Sequence, residues 1–134
     1  MANRNDRRRN AKRARKEPEV ELTLYSRPPD GECETSEFPV VLDDSDFQIV
    51  MRLVRSKGRL VEFAIILCRL AGEEWREIYS VDTMHGQLHE HTTGHQKSHD
   101  RQNIKPLFNQ VDVQESFDEP SYRMVHERYL TLRG

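Results

Sequence analysis

Hydrophobic residues fall at alternate positions through the middle of the chain, and short polar breaks divide them into segments. "FQIVMRLVR" puts Phe47, Ile49, Met51 and Leu53 on one side of an extended chain, and Ser56-Lys57-Gly58 then makes a tight turn. "RLVEFAIILCRL" follows, with Val61, Phe63, Ile65 and Leu67 on one face and Ala64, Ile66 and Cys68 on the other. A strand apolar on both faces belongs inside a sheet, covered or flanked on each side. Residues 71–74 turn the chain into "WREIYSVD", where Trp75, Tyr79 and Val81 oppose Ile78. "TMHG" turns it again into a fourth strand, "QLHEHTT". Short turns between such strands predict an antiparallel meander.

Residues 94–116 are polar and lack a clear period; within them "IKPLFNQVDV" is expected to add a short strand or to cover an edge. The last segment reads as a helix. Asp118 and Glu119 beside Pro120 mark its start, and Tyr122, Val125, Tyr129 and Leu132 form one stripe with Met124 beside it. The expected fold is α+β: a four- to five-stranded antiparallel β-meander covered by a C-terminal helix, one domain over residues 47–134. Residues 19–46 read as an acidic, Pro-rich linker or docking segment. In it, residues 20–25 alternate like an edge strand or a docking piece, and "RPPDG" signals a turn.

Charge changes the picture at the N-terminus. Residues 1–16 carry eight Lys and Arg against one Asp, or +7; the remaining 13 bases and 22 acids give −9, and the sum is the net −2. Residues 1–18 are expected to be a disordered basic arm, since they have almost nothing apolar to bury. Arg7, Arg8, Arg9, Lys12, Arg13, Arg15 and Lys16 are its candidate phosphate contacts. The bland alternative is a tail that solubilises the chain or folds back on the acidic body. Hydrophobic residues make up 35% and charged residues 33%, so the core is small. No apolar run approaches the roughly 18 residues of a membrane span, and no secretory-type apolar segment opens the sequence. The expectation is a cytoplasmic protein with no membrane contact. Cys33 and Cys68 make no disulfide framework; Cys68 reads as a small buried hydrophobe and Cys33 as a reduced thiol.

The segment "VDTMHGQLHEHTTGHQKSHD" concentrates five of the six histidines: His85, His89, His91, His95 and His99. His89 and His91 lie two apart on a strand and share a face. Two registers bring them near β-hairpin partners. With a loop of residues 83–86, Asp82 pairs with Gln87 and Ser80 faces His89. With a loop of residues 83–85, Asp82 pairs with Gly86, Tyr79 opposes His89 and Glu77 opposes His91; this register keeps Ile78 on the core side. Three readings of the cluster stand side by side. The first is a divalent metal, zinc or manganese, held by His89 and His91 with a third ligand from His85 or Asp82; neither His-Glu-x-x-His nor Cys-x-x-Cys is present. The second is metal-free acid–base cleavage of an RNA phosphodiester by two imidazoles. There Arg76, Lys97 or Arg101 holds the phosphate charge and Tyr79 donates a hydrogen bond. The third is polar filler on an edge strand and loop. His126, on the polar side of the last helix, reads as plain surface.

The residues Tyr79-Ser-Val-Asp82-Thr-Met-His85-Gly86-Gln-Leu-His89 carry a resemblance. They resemble a prokaryotic domain-of-unknown-function family whose core reads Tyr-x-x-Asp-Thr-x-His-Gly-x-x-His. That pattern in turn is similar to the Asp-Asn-x-x-x-His strand turn of TumE-type toxins of bacterial toxin–antitoxin modules. The resemblance spans about residues 47–107 and leaves out the basic arm. It implies a small toxin-like protein acting on RNA and held by an antitoxin-like partner, with Asp82, His85 and His89 carried over. The extra histidines and the N-terminal extension depart from the pattern. The combined expectation is a ribonuclease-type hydrolase with Asp82, His85, His89 and His91 as its catalytic set and Arg76 beside the phosphate. The rival is a non-catalytic nucleic-acid- or protein-binding module, or a metal-binding protein, with the same arm.

Overall fold

The computed structural model describes residues 23–92 and 101–133. Six antiparallel strands form one sheet in chain order: β1 (Glu34–Val41), β2 (Phe47–Ser56), β3 (Arg59–Ala71), β4 (Glu74–Asp82), β5 (Gln87–His91) and β6 (Arg101–Pro106). The meander and the α+β class agree with the alternation of the sequence, but the sheet has six strands where four or five were expected. The additional strand β1 lies within the stretch read as linker. It is an edge strand with seven of its eight positions exposed and with Pro39 in its middle, so it carries little apolar alternation to read. The last strand, β6, is exposed throughout for the same reason. The basic arm of residues 1–18 lies outside the described residues.

β3 is buried on both faces over nine consecutive residues. On one face Phe63, Ile65 and Leu67 join Phe47, Ile49, Met51 and Leu53 of β2, Tyr79 and Val81 of β4 and Leu88 of β5. Helical residues Val113, Val125 and Tyr129 close over them. On the opposite face Ala64, Ile66 and Cys68 form a second, smaller cluster with Val50. The two-faced burial expected of the central strand is thus realised as a main core and a thinner layer behind it.

Three β-bulges interrupt the simple alternation. Val61 of β3, Ile78 of β4 and Ile104 of β6 are the residues skipped where the registers shift. A bulge turns consecutive side chains toward one side and increases local twist. It lets Leu60 join the same core as Phe63, and it lets Ile78 pack against the core that holds Tyr79.

The helical segment begins earlier than the Asp118-Glu119-Pro120 signal predicts. It comprises α1 (Gln110–Ser116), a π-helical turn (Phe117–Ser121) and α2 (Tyr122–Leu132). Asn109 caps α1 by accepting the Asp112 N–H at 2.9 Å, and Asp112 accepts the Phe108 N–H at 2.8 Å. Pro120 falls within the π turn. A proline has no N–H to give to the carbonyl four residues back, and widening the helix by one residue passes over that gap without ending it. Gln110 Nε2 donates to the Leu60 carbonyl at 2.9 Å, the Phe117 ring meets Phe63 edge-on at 5.2 Å, and the Tyr129 hydroxyl accepts the Asp44 N–H at 3.2 Å. Val125 and Tyr129 of the expected stripe are buried and Tyr122 half-buried, while Leu132 is exposed.

Burial separates the two thiols. Cys68 is 6% exposed, and its thiol pKa is pushed up to about 11 by burial, with the nearby Glu77 charge adding to the rise. A disulfide-exchange reagent at mildly alkaline pH is therefore expected to modify Cys33 in the native protein and Cys68 only after unfolding. Equal labelling rates for both would contradict this packing.

Candidate metal centre

The connection between β4 and β5 decides which side chains meet. Neither register expected from the sequence occurs: Asp82 stands opposite His89, Val81 opposite Glu90 and Ser80 opposite His91. A 3-10 turn, Met84–Gly86, lengthens the connection, and Gln87 and Leu88 pair only with β6. His85 has φ 60° and Gly86 φ 74°, two left-handed residues in succession. A Cβ on Gly86 would stand 2.8 Å from both Leu24 Cβ and the Tyr25 carbonyl oxygen. The chain preceding β1 is laid directly on this turn. The Tyr25 N–H donates to the Leu107 carbonyl, and the Leu107 N–H to the Gly86 carbonyl, each at 2.8 Å. Thr83 anchors the other side: its hydroxyl accepts the Phe63 N–H at 2.9 Å, and its own N–H donates to the Phe63 carbonyl at 3.1 Å.

In a pleated strand Ser80 and Asp82 share a face, as do His89 and His91. The observed register therefore sets two imidazoles against one carboxylate. Asp82 Oδ1 lies 3.4 Å from His89 Nδ1, and Oδ2 lies 3.1 Å from His91 Nε2. The Met84 N–H donates to Oδ1 at 3.1 Å. One potential ligand atom from each of Asp82, His89 and His91 falls within 4.8 Å of the other two. All three residues are buried, Asp82 without any exposed surface. Burial pushes the His89 pKa below its ordinary value, and the Asp82 carboxylate only partly opposes this. Burial thus favours the neutral ring, the form in which imidazole ligates a metal. Ser80 Oγ, opposite His91, is buried and has no hydrogen-bond partner among the described residues.

His85 stands apart from this group. Its ring centroid is 6.5 Å from that of His89, and the residue is exposed. It lines a cleft of about 320 Å³ with Tyr25, Arg27, Arg52 and Glu62. Of the two third ligands left open by the sequence beside His89 and His91, Asp82 joins the close group, and His85 does not. Glu62, with a side chain 11% exposed, binds Arg27 Nε at 2.9 Å. Burial raises the Glu62 pKa, and the Arg27 and Arg52 charges hold that rise back.

Other candidates fall elsewhere. Arg76 is exposed near the far end of β4, opposite Arg69, and is not brought to the histidines. Arg101 is exposed on β6 opposite His91. Tyr79 points into the main core, where its hydroxyl donates to Glu90 at 2.7 Å and the Arg128 guanidinium stacks 4.4 Å from the ring centre. His126 stacks on Tyr122 at 6.0 Å on the helix. His95, Lys97 and His99 lie outside the described residues, as do Arg7, Arg8, Arg9, Lys12, Arg13, Arg15 and Lys16. The sequence reading missed Glu62, Arg52 and Arg27. Glu62 had a signal: it is the one charge inside "VEFAIILC". Comparison with family models, curated proteins and solved structures finds no match for the chain.

Two substitutions test this local construction. Gly86→Ala combines a left-handed backbone with a collision against residues 24 and 25, and is expected to cost more than about 2 kcal/mol in urea unfolding. Amide exchange should speed up at Tyr25 and Leu107. Thr83→Val leaves the Phe63 N–H buried without an acceptor and is expected to cost about 1–3 kcal/mol. An unchanged urea midpoint for either variant would refute the geometry given for it.

Proposed function

We propose that the protein is a metal-dependent hydrolase of the ribonuclease type, with a divalent ion, zinc foremost, held by Asp82, His89 and His91. The observation that carries this reading is the convergence of a buried carboxylate and two buried imidazoles within 4.8 Å. A carboxylate and neutral imidazoles suit zinc, and manganese accepts the same donors. Three protein ligands leave a coordination position for water, which a zinc site brings to a pKa of about 7.

Burial favours this over metal-free acid–base chemistry by the same residues. Asp82 and His89 offer almost no surface to an RNA backbone, whereas an ion needs only their ligand atoms. Among the described histidines His85 is the exposed one, and it lines the cleft whose Met84 bonds to Asp82. In the reaction proposed, Asp82, His89 and His91 would hold the ion, which would supply an activated water for a phosphodiester. His85 would give a proton to the sugar oxygen that leaves as its P–O bond breaks. The choice of RNA is supported by the +7 charge of residues 1–16. The resemblance to TumE-type toxins points the same way and adds an antitoxin-like partner.

Protein purified without a histidine tag is expected to bind one zinc ion per chain. The gain in stability should be roughly 2.7 kcal/mol at a hundredfold excess over Kd. Asp82→Ala, His89→Ala and His91→Ala should each abolish it. RNA cleavage should vanish in the same three variants and fall about 10²–10⁴-fold in His85→Ala, with zinc binding retained. Deleting residues 1–16 should weaken RNA retention at low salt and flatten its salt dependence. Absence of zinc binding defeats the metal centre, and cleavage that survives all four substitutions defeats the hydrolase.

A further inference from the structure

The cleft beside the triad has features of its own. Arg52 of β2 is half-buried and lines it, on the sheet face that also carries Glu62, Ala64 and Asp82. Among the described residues Arg52 closes no ion pair within 4 Å, although Glu62 is near enough for their charges to interact. Glu62 is occupied: Arg27 holds it at 2.9 Å. Arg27 is in turn steadied by Asp30 at 2.5 Å, and Cys33 Sγ accepts from it at 3.2 Å. The described lining contributes two guanidiniums against one carboxylate, an excess of positive charge on a body that totals −9 over residues 17–134. Withdrawing a guanidinium partly from water without a matched partner is unfavourable. Its planar fork is suited to two oxygens of one phosphate.

We propose that this cleft is a phosphate-ester subsite sized for one nucleotide, in which Arg52 binds the phosphate and the Arg27–Glu62 pair is a positioning element. The volume of about 320 Å³ lies at the lower end of small-molecule sites and accommodates a mononucleotide. His85 lines the same cleft, and Met84, also in its lining, donates its N–H to Asp82. Arg52 and Asp82 both pair with Ala64 from opposite sides, so the cleft lies on the sheet face of the triad. The inference rests on the preceding reading for its place in a reaction; its ligand chemistry stands on Arg52 and the cleft alone.

Adenosine monophosphate and adenosine are the probes, titrated by calorimetry into the full chain, both zinc-loaded and metal-free. The monophosphate is expected to bind and adenosine to bind at least tenfold more weakly. Arg52→Gln should weaken the monophosphate about tenfold or more, and Arg52→Lys, a point charge in place of a fork, by less. Circular dichroism and zinc affinity should be unchanged in both variants. Glu62→Gln frees Arg27 from its carboxylate and tests the positioning role: phosphate affinity should change while zinc affinity does not. Should Arg52→Gln, folded as wild type, bind the monophosphate as tightly, or should adenosine bind equally well, the subsite is disproved. If zinc fails to bind but the metal-free protein shows the Arg52-dependent affinity, the metal reading falls and the subsite stands.

Discussion

Burying a carboxylate completely is costly unless polar groups meet its oxygens. Two imidazoles and one backbone N–H stand against Asp82, all delivered by residues that follow it in the chain. Its position in turn depends on the strand pairing that places it opposite His89. That pairing is set by a left-handed turn, and the turn is closed by a segment laid across Gly86. Pairing, turn and covering segment are therefore one construction. A shift of one residue at any point would turn the imidazoles to the opposite face of the sheet.

The two faces of the sheet divide the work. The face under the helix is almost purely apolar and carries most of the hydrophobic burial. The other face holds only a thin apolar layer of Ala64, Ile66, Cys68 and Val50, and beside it the charged and titratable groups cluster. β3 belongs to both. Its even-numbered residues from Glu62 onward pass from the cleft into the thin layer, while Phe63, Ile65 and Leu67 anchor the main core. Any reorganisation of the site must act against that core, so the polar cluster sits on a stiff support.

Much of this was legible in the sequence. The alternation from Phe47 to Val81 gave the central strands and their faces, and the histidine concentration pointed to the segment that holds His89 and His91. The register did not follow, because hairpin rules assume a short loop and the 3-10 turn at Met84 made it longer. Bulges also hide from a period-two reading: at Val61 and Ile78 the alternation breaks where the strand continues. The early start of α1 had a readable signal, Asn109 followed three residues later by Asp112, which the more conspicuous Pro120 obscured. Edge strands β1 and β6 leave little pattern, since neither face of them is substantially buried. Arg52 and Glu62 looked like interruptions in apolar strands, and only the folded sheet puts them on one face with Asp82.

Among the described residues nothing pairs with the outer side of β1, and this bears on how copies of the chain behave in concentrated solution. An open strand of this length would ordinarily invite another chain to add itself alongside. Pro39 removes a donor in the middle of that border, and the acidic side chains of Glu34 and Glu37 repel a second copy of the same strand. Both features act against copies of the chain adding strand to strand into a fibre.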